Sequence, residues 1–270
     1  MAHIWPDTWP LPWLSADDDI LKIPPRPLPE RPASWRTLAL IGAVALVAAV
    51  VFLSKPDIDL IASAYFYKGG GEFIGQSDLW IRIVRNIFII FFWACVALAI
   101  AGLVHTREPG ASWLGFTARH WLFLAICLGV GPGLVANVMF KDQWGRARPK
   151  QVVEFGGTKT FTPPILFSSQ CPRNCSFVSG EASSTYLPFY AAAVMLPQAA
   201  VPLVVTGTVM GLAAGTVRMA QGGHFLSDVI YAGVLMALTV LIVRRLMFGP
   251  PIMPGLRRRL FGGAPPVPRP

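Results

Sequence analysis

The sequence predicts an all-α integral membrane protein, a bundle of six helices, and three observations carry that prediction. Only 14% of its 270 residues are charged while 54% are hydrophobic, against about 25% charged in a soluble domain. Six apolar runs approach the roughly 20 residues needed to cross a hydrocarbon core: 37–54, 86–104, 121–140, 182–200, 201–217 and 229–247. The charges gather at the ends of these runs and between them.

Residues 1–36 form a Pro- and Trp-rich tail with an acidic cluster. The tail lacks the basic-then-apolar order of a cleavable signal, so the run 37–54 is expected to stay as an anchor. The second and third runs hold Cys95 and Cys127, which read as core residues. Pro188, Pro197 and Pro202 interrupt the fourth and fifth runs, and Pro197 to Pro202 reads as a tight turn between antiparallel helices. Residues 248–270 are a second Pro-rich tail, basic at Arg257, Arg258 and Arg259. The expected organisation is one membrane domain over 37–247 with two cytoplasmic tails.

An even number of helices puts both tails on one side. Arg244, Arg245 and the Arg257–Arg259 cluster assign that side to the cytoplasm. The long third loop, which carries Lys141, Arg146, Arg148, Lys150, Lys159 and Arg173, opposes this assignment unless those residues bind something. In the same loop, Cys171 and Cys175 in "CPRNC" form either a disulfide, as suits an oxidising exterior, or two free thiols. No second Cys or His pair accompanies them to make a zinc site. The net charge of +9 comes with no basic-aromatic stripe, so the expected partner is the phospholipid bilayer and not nucleic acid. Oligomeric state leaves no trace in the sequence.

Three polar patches fall at helix ends on the proposed outer face. The first, "KDQWGRARP", offers Lys141, Arg146 and Arg148; the second, "SFVSGEAS", offers Ser179, Gly180 and Glu181; the third, "RMAQGGHFLSD", offers Arg218, His224 and Asp228. Guanidinium and ammonium groups suit phosphate oxygens, and a helix start with a hydroxyl and free N–H groups is an anion site. His224 can attack phosphorus through a ring nitrogen. With the last helix starting near His224, Asp228 shares its face and can hold the other nitrogen. Each patch taken alone has a plainer reading: basic side chains snorkelling at a membrane boundary, an N-cap with Glu181 favouring the helix dipole, or an interfacial hydrogen bond. Their joint occurrence on one side favours phosphoryl transfer.

The pattern K-x6-RP from Lys141 to Pro149, the pair Ser179-Gly180 and R-x5-H-x3-D from Arg218 to Asp228 resemble the type-2 phosphatidic acid phosphatase superfamily, shared with the vanadium haloperoxidases. The resemblance implies that Lys141, Arg148 and Arg218 bind phosphate with help from Ser179 and Gly180. It further implies that His224 forms a phosphohistidine oriented by Asp228, with no cofactor and no metal, the cations taking the ion's place. Val178 and Glu181 stand where the family's second motif has Pro and the general-acid His. Glu181 can donate a proton only if burial raises its pKa against the surrounding cations.

A leaving group better than a simple alkoxide needs less acid help. "SFVSGEAS" and "DIDLIASAYFY" (57–67) resemble bacterial lipid A phosphatases within the superfamily, and the lipid A 1-phosphate leaves from an anomeric oxygen. The expected function is therefore hydrolysis of a lipid phosphate monoester, lipid A 1-phosphate first, at the periplasmic face of a bacterial inner membrane. Alternatives are an undecaprenyl diphosphate, phosphatidylglycerophosphate or phosphatidate phosphatase, a lipid-to-lipid phosphotransferase, and a non-catalytic lipid-phosphate binder or transporter.

Overall fold

A computed structural model describes residue 26 and residues 35–249. The two tails, with the Arg257–Arg259 cluster and nearly all of the 1–34 segment, lie outside the described residues. The chain runs through α1 (Trp35–Ser54), the short α2 (Asp57–Ala64), a hairpin of β1 (Tyr67–Gly69) and β2 (Glu72–Phe73), the single turn α3 (Ile74–Ser77) and α4 (Leu79–His105). A second hairpin, β3 (Ser112–Trp113) and β4 (Phe116–Thr117), leads to α5 (Ala118–Leu128), which continues as a π-helix over Gly129–Lys141. An extended segment over 142–179 precedes α6 (Gly180–Met195), α7 (Ala200–Ala220) and α8 (Leu226–Phe248).

Among the described residues five helices are long and apolar enough to cross a membrane: Arg36–Ser54, Leu79–His105, Ala118–Lys141, Pro197–Ala220 and Leu226–Phe248. The chain is a multi-pass membrane protein. The expected fourth run does not extend over 182–200. Its helix α6 has 16 residues, about 24 Å at 1.5 Å per residue, which is shorter than a hydrocarbon core. Leu196 leaves helical geometry at φ −126°, ψ 71°, and Pro197, with no N–H to donate, opens a 3₁₀ turn.

Burial explains why a short, polar-rich helix is stable there. Ten residues of α6 are buried, including Ser183, Thr185 and Tyr186, so it is the inner helix of the bundle. Small residues let its neighbours close in: a Cβ added at Gly211 of α7 would lie 2.3 Å from the Tyr186 ring. The core continues through Phe123, Cys127, Leu187 and Met236, none more than 1% exposed. Leu46, Ile90 and Val201 point outward and stay exposed, as suits lipid-facing side chains.

Because the helices alternate in direction, one end of the bundle collects the starts of α4, α6 and α8 and the ends of α1, the π-helix and α7. A small second core of Phe73, Val152, Phe155 and Phe225 fastens the first hairpin and the 142–179 segment over this end. Tyr67, Phe73 and Phe155 meet at ring-centroid distances of 5.2–5.4 Å. All three polar patches of the sequence lie here.

Candidate active site

The last helix begins near His224, as expected, but the histidine itself stands just outside it. It occupies the turn between α7 and α8, which Gly222 permits with φ +63°; α8 starts two residues later. The ring is 1% exposed. Its Nδ1 lies 2.6 Å from the carbonyl oxygen of Ser176. A carbonyl can only accept, so Nδ1 carries the proton and Nε2 of the neutral ring keeps its lone pair. Burial pushes the His224 pKa down to about 4; the hydrogen-bonding pull of the Asp228 carboxylate acts against this, and the charges of Lys141 and Arg218 reinforce it.

Asp228 is the third residue of α8, and its Oδ2 caps the helix by accepting from the Phe225 N–H at 2.8 Å. The same oxygen accepts from the Ser176 hydroxyl at 2.5 Å and lies 3.6 Å from His224 Nδ1. The carboxylate therefore supports the ring across an ion-pair distance, and the Ser176 carbonyl holds the proton directly.

The charges of Lys141 and Arg218 reach this ring, and that of Arg148 reaches Lys141. Lys141 ends the π-helix and lies across the start of α6, where a Cβ added at Gly180 would come 3.0 Å from its Nζ; glycine gives the ammonium its place. Arg218, at the end of α7, packs over the next turn, where a Cβ at Gly223 would meet its Nη2 at 2.8 Å. Gln221 accepts from Arg218 Nη1. Arg148 is oriented from outside: its Nη2 donates to the carbonyl (2.7 Å) and side-chain (2.8 Å) oxygens of Asn174. Asn174 belongs to the loop closed by a Cys171–Cys175 disulfide, with Cα atoms 5.6 Å apart. The Cys175 N–H donates to the Lys141 carbonyl at 2.9 Å, which ties the loop to both phosphate-binding candidates of the first patch. Ser179 is the N-cap of α6, its hydroxyl accepting from the Ala182 N–H at 3.5 Å, and is fully buried.

Glu181 faces a different partner from the one a proton donor needs. Arg85, on α4, grips its carboxylate with Nε at 3.1 and 3.0 Å and Nη2 at 2.8 Å, and Arg218 Nε approaches at 3.4 Å. Two guanidinium groups on one carboxylate favour its ionised form.

The sequence gives no role to Arg85, Ser176 and Asp59, and it places Arg146 in the first polar patch but outside the K-x6-RP motif. Asp59 and Arg146 are fully buried, although one belongs to a short helix and the other to a basic run. Arg146 donates from Nη1 to Asp228 Oδ1 at 2.5 Å and from Nη2 to Asp59 Oδ2 at 2.8 Å. Its guanidinium lies 4.4 Å from the Phe225 ring centroid. The sequence signals for them are the phrase "DIDLIASAYFY", which contains Asp59, and the position of Arg146 between Lys141 and Arg148.

The arrangement sets an imidazole with an uncommitted nitrogen among the charges of Lys141 and Arg218, groups that can bind a phosphate and accept its phosphoryl group. Among the described residues no group of three or more His, Cys, Asp or Glu side chains could hold a metal ion.

Comparison with known proteins agrees with this chemistry. The family model of the PAP2 superfamily matches residues 119–250. A lipid A 4′-phosphatase of Francisella tularensis subsp. novicida is 36% identical over 214 residues, which cover 76% of this chain and 93% of the relative. Lipid A 4′-phosphatases of Rhizobium etli and Rhizobium leguminosarum are 28% and 30% identical, over 72% and 67% of this chain and 77% and 83% of theirs. The crystal structure of a PAP2-type phosphatidylglycerolphosphate phosphatase from Bacillus subtilis superposes with a TM-score of 0.50 at 18% identity, covering 79% of this chain and 96% of that one, and so shares its fold. The chain belongs to the PAP2 superfamily, and it is a phosphatase.

Proposed function

We propose that the chain hydrolyses a phosphate monoester of lipid A through a phosphohistidine on His224. The observation that carries this reading is the tautomer: Nδ1 is committed to the Ser176 carbonyl at 2.6 Å, leaving Nε2 as the nucleophile. Nε2 bonds to phosphorus as the phosphorus–oxygen bond to the sugar breaks, and the sugar oxygen takes the bonding electrons and a proton from solvent. Water then attacks the phosphohistidine, the phosphorus–nitrogen bond breaks, and inorganic phosphate leaves. Lys141, Arg148 and Arg218 hold the phosphoryl oxygens and offset the charge that develops on them.

The three relatives, each named for the 4′-phosphate, favour that position. The 1-phosphate is the second reading, and the observation behind it is Glu181. Held by Arg85 and Arg218, it has no proton to give, and an anomeric oxygen leaves with less help. Mass spectrometry of bisphosphorylated lipid A after exposure to the full chain tests both. Loss of one phosphate is expected with wild type and not with His224→Ala, and fragmentation assigns the ring. Unchanged lipid A alongside release from another lipid phosphate would transfer the reading to that lipid.

In this reading α6 completes a six-helix crossing with the site facing the periplasm of a bacterial inner membrane. Arg107, Arg119, Arg244 and Arg245 all fall at the end of the bundle opposite His224, which supports a cytoplasmic assignment for that end. The disulfide on the site's side suits an oxidising compartment.

Two predictions follow from the site's charges. Glu181→Gln loosens Arg218 and Arg85, so KM is expected to rise about tenfold, in line with the loss of charge-assisted hydrogen bonds. Its kcat should stay within about threefold; a collapse of kcat together with loss of the basic limb of the pH profile would instead make Glu181 the acid. The second prediction concerns His224, whose pKa is pushed down to about 4, so that it stays neutral and nucleophilic through the physiological range. After allowance for the substrate phosphate's own ionisation near pH 6, kcat/KM should hold level down to about pH 5 and fall below it. An acid limb near the ordinary histidine value of about 6.5 would contradict the buried, unprotonated ring.

A further inference from the structure

Behind the reacting ring lies a closed set of buried charges, two of which, Asp59 and Arg146, stand outside the phosphatase motifs. Asp59 projects from α2 with no exposed surface. Its Oδ1 accepts from the Ser227 N–H at 2.8 Å, and its Oδ2 accepts from the Ser227 hydroxyl at 2.5 Å and from Arg146 Nη2 at 2.8 Å. Three donors meet its two oxygens, the pattern that favours an ionised carboxylate even though burial raises its pKa. Arg146 is satisfied on every side, by Asp59, Asp228 Oδ1, the Ser227 hydroxyl at 2.9 Å and the Thr162 carbonyl at 2.7 Å. The order Asp59, Arg146, Asp228, His224 is thus continuous, and only its last member meets phosphate.

We propose that Asp59 is a positioning residue of the phosphoryl-transfer site, acting through Arg146 to orient Asp228 and to leave it an excess of negative charge against the His224 ring. Two carboxylates face one guanidinium, so the set carries one net negative charge. When Nε2 bonds to phosphorus, the ring still holds its Nδ1 proton and becomes a cation; the excess charge stabilises it. Without the Asp59 carboxylate, the whole Arg146 charge falls on Asp228 and the set is neutral as the cation forms. In a buried, low-dielectric site that difference acts on the covalent step and not on substrate capture.

The inference rests on the phosphohistidine reading, and the experiment separates the two. Purified full chain is mixed with labelled lipid A, quenched in alkali within milliseconds, and phosphoryl-enzyme is counted in wild type, Asp59→Asn, Asp228→Asn and the double variant, with thermal melting to count folded protein. Phosphoryl-enzyme absent even from wild type would sink the phosphohistidine reading itself. Given wild-type labelling, Asp59→Asn is expected to label roughly 10- to 100-fold more slowly per folded molecule, with KM moved less than about threefold. In the Asp228→Asn background the Asp59 change should add almost nothing, because the route it acts through is already gone. Wild-type labelling by Asp59→Asn, a rise in KM in place of slower labelling, or losses that multiply in the double variant would each overturn the proposal. Should Asp59→Asn not fold, Ser227→Ala removes the hydroxyl bonded to both Asp59 and Arg146. It should slow labelling about tenfold, again without adding to Asp228→Asn; a multiplicative loss there overturns the proposal equally.

Discussion

His224→Ala is expected to lose at least about four orders of magnitude in kcat while the protein remains folded. Removing the nucleophile of a covalent mechanism leaves only the cationic cradle, and comparable losses accompany removal of one member of a nucleophilic triad. Folding should survive because the ring's hydrogen bond to the Ser176 carbonyl is one contact in a turn that Phe225 and the Asp228 cap still hold. Removing a net hydrogen bond of that kind costs about 1 kcal/mol, and filling the small cavity with water offsets part of it. The variant should therefore still bind lipid phosphate, since Lys141, Arg148 and Arg218 are untouched. Equilibrium binding to vesicles containing lipid A, beside phosphate release, checks both halves. A non-catalytic lipid-phosphate binder would show no functional difference between the two proteins.

The largest effect on stability is expected at a residue outside the family motifs. Arg146→Met keeps the bulk of the side chain and removes the charge between Asp59 and Asp228, both fully buried. Breaking a buried pair by removing one partner costs roughly 3–5 kcal/mol, because the orphaned charge has no water to turn to. Here two carboxylates lose the same guanidinium, so the upper end of that range is the expectation. The pH dependence carries a definite sign. Burial already raises the Asp59 pKa against the pull of Arg146, and without Arg146 it rises further. A group with a raised folded-state pKa contributes stability at low pH that is lost as pH rises through that pKa. Arg146→Met should then be least stable relative to wild type at neutral pH and recover part of the difference on acidification. Thermal melting in detergent across pH measures this directly, and a pH-independent difference would place Arg146's role elsewhere.

What the sequence made visible and what it hid divide along sequence distance. Lys141 to Pro149 and Arg218 to Asp228 are short spacings, and local spacing survives in a sequence read without partners. Asp59 meets Arg146 across 87 residues and Ser227 across 168, while Arg85 meets Glu181 across 96. A single Asp or Arg near a helix end looks the same whether it is solvated or locked in a network. Hydrophobicity locates the helices but not their polar ends: α4 begins at Leu79 and not at 86, because Arg82 and Arg85 break the apolar run. The short α6 appeared too long for the opposite reason, as the apolar residues beyond Pro197 belong to the next helix. The sequence places the start of the last helix near His224, and the structure sets His224 in the turn just before it, with Nδ1 on the Ser176 carbonyl. Glu181 reads as a candidate acid in sequence because the guanidinium that occupies it comes from α4, 96 residues away.

The proposed mechanism requires a phosphoryl group to pass through His224. Rapid alkaline quench of the purified full chain with bisphosphorylated lipid A, followed by mass spectrometry of the peptide containing residue 224, tests this most directly. One added phosphoryl group on His224 in wild type, absent in His224→Ala and slower to form in Asp228→Asn, is the predicted result. Phosphate release at full rate with no phosphoryl group on His224, or with the group on another residue, would contradict it.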